Sequence, residues 1–312
     1  MASHTGGTPR YYVPESSRLA IFVALALGLM LQGVAHGLNA SKAGVDAGAS
    51  WYLFFSGLAV FLATLACWFY MSIKENMAGM ASPMLKRSYR MGMQWFIFSE
   101  VMFFCAFFGA LFYVRNLAGP WLAGEGDKSE MVKLLWQGFK YTWPQVQTPQ
   151  QAVGIANQVM ANNGTFNAPK EHMTLTLALV NTVLLLSSSF TVHLAHVALK
   201  NNKRGGLNFW LAITLILGFT FVGVQAYEYH EAYTELGLTL KAGIYGSTFF
   251  MLTGFHGFHV CMGAIMLSVQ WLRSTTKKHF TPDDHFGFEA ASWYWHFVDV
   301  VWVGLFLFVY IL

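Results

Sequence analysis

Met91–Val114 reads MGMQWFIFSEVMFFCAFFGALFYV, 24 residues with one charged side chain, Glu100. A helix crossing a hydrocarbon core of about 30 Å needs roughly 20 largely uncharged residues, so this stretch has the length and composition of a membrane span. Six further stretches qualify: Leu19–His36, Trp51–Ile73, Met173–Leu199, Leu207–Tyr227, Ala242–Leu272 and Ala290–Leu312. The fold expected is all-α and polytopic, with seven transmembrane helices.

Composition points the same way. Hydrophobic residues make up 55% of the 312 and charged residues 11%, against roughly 25% charged in soluble domains. That is too little charge to cover a water-facing globule. The net charge of +4 is modest, and the cations fall in short clusters between spans, which fits membrane orientation and not nucleic-acid binding. Cys67, Cys105 and Cys261 lie inside apolar runs without C-x-x-C spacing, so neither a disulfide framework nor a thiolate metal site is indicated. A polar stretch precedes a first apolar run about as long as a span, which is therefore expected to be retained and not cleaved.

Twelve cations flank the spans on one side: Arg10, Arg18, Lys74, Lys86, Arg87, Arg90, Lys200, Lys203, Arg204, Arg273, Lys277 and Lys278. The short loops of the other side carry Lys42 and Lys241. The positive-inside rule then places the N-terminus in the cytoplasm and the C-terminus outside. One membrane domain over 1–312 is the simplest division: an N-terminal segment 1–18, helices within 19–73, a cytoplasmic loop 74–90, a helix 91–114, a long outer loop 115–172 and four helices within 173–312. In the long loop Met131, Leu134, Leu135 and Phe139 recur at helical spacing and suggest a short interfacial helix. Pro144, Pro149 and Asn162–Asn163–Gly164 mark irregular structure beyond it.

Several polar side chains stand inside the apolar stretches. Glu100 lies about nine residues into its span, roughly 14 Å deep at 1.5 Å per residue. An intramembrane acid should face other helices, either to handle a proton or to hold a neighbour by a hydrogen bond. His256 and His259 are three apart in the sixth span, and His193 and His196 repeat that spacing in the fourth, each pair on one helix face. Opposed histidines could clamp a haem iron or hold a metal; the alternative is bonding between helices, with Gly246, Gly254, Gly257 and Gly263 marking close packing. His296 and Asp299 share a face of the last span and are expected to bond each other or a neighbour. Glu228 and Glu231 close the fifth span and are expected at the interface. Arg273, Lys277, Lys278 and His279 form a basic cluster that either attracts anionic headgroups or sets topology. No Walker loop, G-x-S-x-G elbow, H-E-x-x-H or EF-hand loop is present.

Longer motifs carry a resemblance. FGFEAASWYWHFVDVVW at Phe286–Trp302, YGSTFF at Tyr245–Phe250 followed by TGFHGFHV at Thr253–Val260, FSEVMFF at Phe98–Phe104 and QAYEY at Gln225–Tyr229 resemble cytochrome c oxidase subunit III of the haem–copper oxidases. The resemblance spans nearly all of the chain beyond Lys86. It implies an accessory subunit without catalytic residues, metal or cofactor of its own, beside a haem- and copper-bearing subunit I and a copper-bearing subunit II, in a proton-pumping respiratory oxidase of the bacterial inner membrane. It implies a two-helix and a five-helix bundle with a phospholipid-filled cleft between them, through which oxygen reaches the catalytic subunit, and a role in sustaining proton uptake. Glu100 resembles the family's buried, carbodiimide-reactive carboxylate. Arg273 and His279, with Lys278, resemble phospholipid headgroup contacts, and Lys74–Glu75 the basic–acidic pair after the second helix. A wall of Phe96, Phe103, Phe104 and Phe107 would suit apolar oxygen. Two departures stand out: Asn76-Met77-Ala78-Gly79-Met80 replaces a run that often carries histidines, and the loop after the third helix is longer than usual. The rival readings are a quinol oxidase subunit, which usually has five helices, an autonomous haem protein, and a transporter using Glu100 as its proton site.

Overall fold

The computed structural model describes residues 17–80, 82–135, 137–144, 149, 175–240, 242–277 and 279–312. Arg10, Lys170, Lys241, Lys278 and the Asn162–Asn163–Gly164 turn lie outside them. The described residues are overwhelmingly helical: α1 Leu19–Ala43, α2 Gly48–Met77, α3 Pro83–Tyr113, the short α4 Ser129–Leu135, α5 Leu175–Lys200, α6 Arg204–Thr234, α7 Gly243–Lys277 and α8 Phe286–Leu305. A π-helical turn, Val114–Ala118, and a last turn, Gly119–Leu122, prolong α3, and a π-helical segment, Phe306–Ile311, prolongs α8. Seven of these helices are long and apolar enough to cross a membrane.

Most of the long helices overrun the apolar stretches that announce them. α2 continues through Lys74, α6 from Arg204 to Thr234 and α7 through Arg273 to Lys277. Once a helix is nucleated, each added residue gains a backbone bond whether or not its side chain is apolar, so the rods run on past the oily segment. Local chemistry stops them. Gly44, at φ +68°, takes the left-handed position after α1. The Asp46 carboxylate accepts the Gly48 amide at 3.0 Å to open α2, and Ser82 Oγ accepts the Leu85 amide at 3.2 Å to open α3 with Pro83 in its first turn. Asn202, at φ +54°, turns the chain between α5 and α6.

The chain forms two compact units, Met1–Tyr89 and Arg90–Leu312. In the first, α1 and α2 pack as a hairpin through glycines. A side chain at Gly33 would come within 2.6 Å of the Phe54 backbone, and one at Gly57 within 2.9 Å of the Ala26 carbonyl. Backbones that approach this closely gain dispersion contact, which drives helix pairing in lipid where the hydrophobic effect is spent.

The second unit centres on two fully buried tryptophans of α8, Trp295 and Trp302. The Trp295 indole lies in a slot between Gly218 of α6 and Gly263 of α7, where an added Cβ would meet the ring at 2.7 and 2.8 Å. Its Nε1–H donates to Ser188 Oγ of α5 at 2.9 Å. About two turns of α8 later the Trp302 Nε1–H donates to Thr182 Oγ1 at 3.0 Å. The first long helix of this unit, α3, meets α7 and α8 with its C-terminal extension through rings: Phe103 on Phe255, Phe104 on Phe297 and Phe108 on Phe308. Of the four glycines expected to mark close packing in α7, Gly263 does so against Trp295 and Gly246 lies against the preceding turn. Gly254 touches only the Tyr229 hydroxyl, and Gly257 faces open space.

α4 is the short helix expected in the long loop. Leu134 is 83% exposed, whereas Phe139 lies beyond the helix end and is buried. The anchors are Tyr141, whose ring covers Gly119 and whose hydroxyl donates to the Arg115 carbonyl at 2.8 Å, and Trp143, stacked edge-on against Tyr245 of α7 and beneath the Arg115 guanidinium. Burial raises the Tyr141 hydroxyl above its ordinary value, partly offset by Arg115.

Candidate functional site: a carboxylate–imidazole pair in an aromatic recess

Glu100 of α3 meets His259 of α7, Oε2 to Nε2 at 2.8 Å. The other imidazole nitrogen, Nδ1, lies 2.6 Å from the Phe255 carbonyl, one turn back on the same helix. A carbonyl can only accept, so Nδ1 carries a proton. The Nε2–Oε2 contact then needs a proton of its own, held either by a carboxylic acid donating to a neutral ring or by an imidazolium donating to a carboxylate. In both forms the pair is neutral overall, which is how it resides in an apolar span without an uncompensated charge.

Rings enclose this pair. His259 is stacked on Tyr294 and edge-on to Phe104, with Phe103, Phe258 and Phe297 around it. The imidazole is nearly buried, while the carboxyl remains 22% exposed into a recess of about 320 Å³. Phe96, Phe103, Phe255, Phe258, Met262 and Tyr294 line that recess with the pair. Of the rings named for a wall suited to oxygen, Phe96 and Phe103 line this recess. Phe107 packs behind Phe103, and Phe104 turns into the core at 2% exposure.

The other intramembrane polar residues form separate local bonds. His256 is buried and donates Nε2–H to the Val298 carbonyl of α8 at 3.2 Å, between the rings of Phe221 and Trp302. His193 is exposed. His196 meets not an opposed span histidine but His285, ahead of α8, with Nε2 to Nε2 at 3.3 Å. His296 Nδ1 bonds Ser189 Oγ of α5 at 2.8 Å and stands 3.6 Å from the buried Asp299 carboxyl. Among the described residues no group of three or more His, Cys, Asp or Glu converges to hold a metal ion.

Glu228, expected at the interface, is enclosed by protein. It is fully buried, accepts the Gln225 Nε2–H at 2.8 Å, and is linked through Gln225 to Asn181 of α5 at 3.4 Å. The apolar stretch ends at Tyr227, but α6 continues to Thr234, and α5 and the C-terminal segment cover this part of it. Asn181, Gln225 and Tyr310, whose hydroxyl is also buried, escaped the sequence reading because single amides and tyrosines inside apolar runs carry no spacing signal.

At the basic end, the Arg273 guanidinium covers the Phe280 ring at 4.8 Å, bonds Gln270 at 3.1 Å and presses on Gly287. Arg204 donates to the Phe280 carbonyl, and Arg90 pairs with Glu289 at 3.2 Å. His279 sits beside them, its imidazole pulled below the usual histidine range by burial and then by the Arg273 and Lys277 charges. Lys278 lies outside the described residues. In the first unit Lys74 caps the Tyr70 ring at 5.0 Å, next to a half-buried Glu75.

Comparison with known proteins fixes the family. The model of "Cytochrome c oxidase subunit III" matches residues 10–122 and 168–312. Proteins named cytochrome c oxidase subunit 3 from Squalus acanthias and Struthio camelus are 36% and 34% identical over 301 residues, 96% of both chains in each case. The one from Tetraodon nigroviridis is 37% identical over 255 residues, 81% of both chains. The family match leaves out 1–9 and 123–167, and the second of these falls within the long loop. This seven-span chain thus belongs to the cytochrome c oxidase subunit III family, whose members are components of a multi-subunit respiratory oxidase.

Proposed function

We propose that this chain is an accessory subunit of a proton-pumping cytochrome c oxidase, seated against a catalytic subunit I that carries haem and copper and a copper-bearing subunit II. The match along nearly the whole chain carries this reading. The bonding of the histidines supports it: both nitrogens of His259 are engaged and His256 directs Nε2 at a carbonyl, so these side chains tie helices together. That disfavours the rival of an autonomous haem protein with ligands at those positions. In this reading the first two helices form one bundle and the remaining five another, with phospholipid between them. Arg273, His279 and Lys278 meet headgroups, as do Lys74 and Glu75 at the end of α2. The recess beside Glu100 and Phe103 gives apolar oxygen a permissive route, and the chain sustains proton uptake by its catalytic neighbour. The clustering of cations on one side of the spans favours a cytoplasmic N-terminus in a bacterial inner membrane.

The test is co-purification. Captured through a tag in mild detergent, the chain should bring down a larger subunit with haem and copper absorbance and turn over reduced cytochrome c. A quinol-only activity would shift the donor while keeping the family. Recovery of a lone chain, or of one with its own haem, would overturn the assignment.

A further inference from the structure

Two imidazoles at the end of the bundle where α5 closes and α8 opens take no part in the role proposed above. His196 Nε2 and His285 Nε2 stand 3.3 Å apart, with the ring planes 68° to each other. Both rings are steadied from behind. His285 Nδ1 lies 3.1 Å from the Thr281 carbonyl, and because that oxygen only accepts, Nδ1 carries the proton and neutral His285 presents a bare Nε2 lone pair. A backbone carbonyl behind an imidazole is the outer support that orients a metal-ligating histidine. His196 packs edge-on against Phe288, itself fully buried.

The spacing is informative. Two imidazole nitrogens at about 2.0–2.1 Å from a tetrahedral zinc ion stand roughly 3.3–3.4 Å apart. The same spacing also holds an N–H···N hydrogen bond from His196 to His285 when no ion bridges the rings. We propose that His196 and His285 form a two-imidazole site for a divalent transition ion of the zinc class, with water completing its coordination. Both histidines are half-buried, which leaves a hydrated ion room to enter. Glu289 stands one turn along α8 from His285. Arg90 holds Glu289 at 3.2 Å, so the carboxylate serves as a balancing charge and not as a ligand. On binding, the His196 proton moves from Nε2 to Nδ1, freeing the second lone pair with no net gain or loss of protons. Imidazole donors favour zinc, copper and nickel over magnesium or calcium.

The experiment uses the chain purified from its membrane with whatever subunits accompany it. Equilibrium dialysis against buffered free Zn²⁺ should show one equivalent less zinc bound in His196→Asn and in His285→Gln than in the wild type. The double variant should lose no more than either single one, and excess Mg²⁺ should not compete. Equal zinc in all four proteins overturns the site. Since a variant can disturb the helix ends, zinc-edge anomalous scattering from zinc-soaked wild-type crystals provides an independent readout: a peak between the two Nε2 atoms is expected, and its absence overturns the proposal whatever the variants do.

Discussion

Glu100 and His259, from helices α3 and α7, share one proton across 2.8 Å. Either partner alone would be a largely enclosed group in want of a bond. Replacing His259 by Leu removes the acceptor for the carboxylic acid and the donor for the carboxylate, and should lower stability by about 1–3 kcal/mol. Glu100→Gln keeps an N–H that can donate to Nε2 and should cost less than about 1 kcal/mol. Removing both groups should cost less than the sum of the separate losses, because the second deletion no longer strands a partner. A thermal-denaturation double-mutant cycle on the purified protein measures this, and strict additivity would mean that the pair is not coupled.

The slot around Trp295 predicts a contrast among glycines. Gly218→Ala and Gly263→Ala each drive a methyl group to within 3 Å of a rigid, fully buried indole, and overpacking of this kind costs about 1–3 kcal/mol. Gly223→Ala and Gly257→Ala meet nothing within 4 Å and should be neutral or gain up to about 1 kcal/mol from helix propensity. Melting temperatures of the four variants should separate into these two pairs.

The seven spans were legible from Met91–Val114 and its counterparts because lipid imposes a length and an apolarity that no local preference can mimic. The helix ends were less legible. Backbone bonding carries α6 to Thr234 past the apolar stretch that ends at Tyr227, and Glu228, expected at the interface, is enclosed by protein. Pairings were not legible at all. Glu100 and His259 are 159 positions apart, and spacing along one helix reports which residues share a face, not which neighbour that face meets. His285 was missed for the same reason. It lies in a polar connection with no periodicity, and its relation to His196 exists only once α5 and α8 are packed.

His279 makes stability depend on pH with a definite sign. Burial, and then the nearby Arg273 and Lys277 charges, hold its folded pKa below the ordinary histidine value of 6.5. Between those two values the unfolded chain binds more protons than the folded one, so stability is retained above 6.5 and falls as pH drops through the window. In a neutral detergent, melting temperature should decline between pH 7.5 and 5.5, and His279→Asn should flatten part of that slope. An anionic lipid added to the detergent should flatten it as well, since a headgroup near Arg273 cancels the repulsion that keeps the imidazole neutral. An unchanged slope in the variant would show that His279 does not titrate in this range.

The loop segment that the family match skips is held to the bundle by two rings, and this sets what happens when either is removed. Tyr141 fills the space over Gly119 and bonds the Arg115 carbonyl, and Trp143 lies between the Arg115 guanidinium and Tyr245. Tyr141→Phe deletes only the hydroxyl bond and should cost about 0.5–1.5 kcal/mol. Tyr141→Ala and Trp143→Ala delete the aromatic anchors themselves, yet the tryptophans and glycines that build the core of α5–α8 lie elsewhere. The two alanine variants should therefore assemble normally while residues near 123–144 become cleavable at low protease concentration, with Tyr141→Phe intermediate. If Trp143→Ala instead prevented accumulation of the protein, the loop would have to be counted as part of the bundle's own stability and not as an addition docked on it.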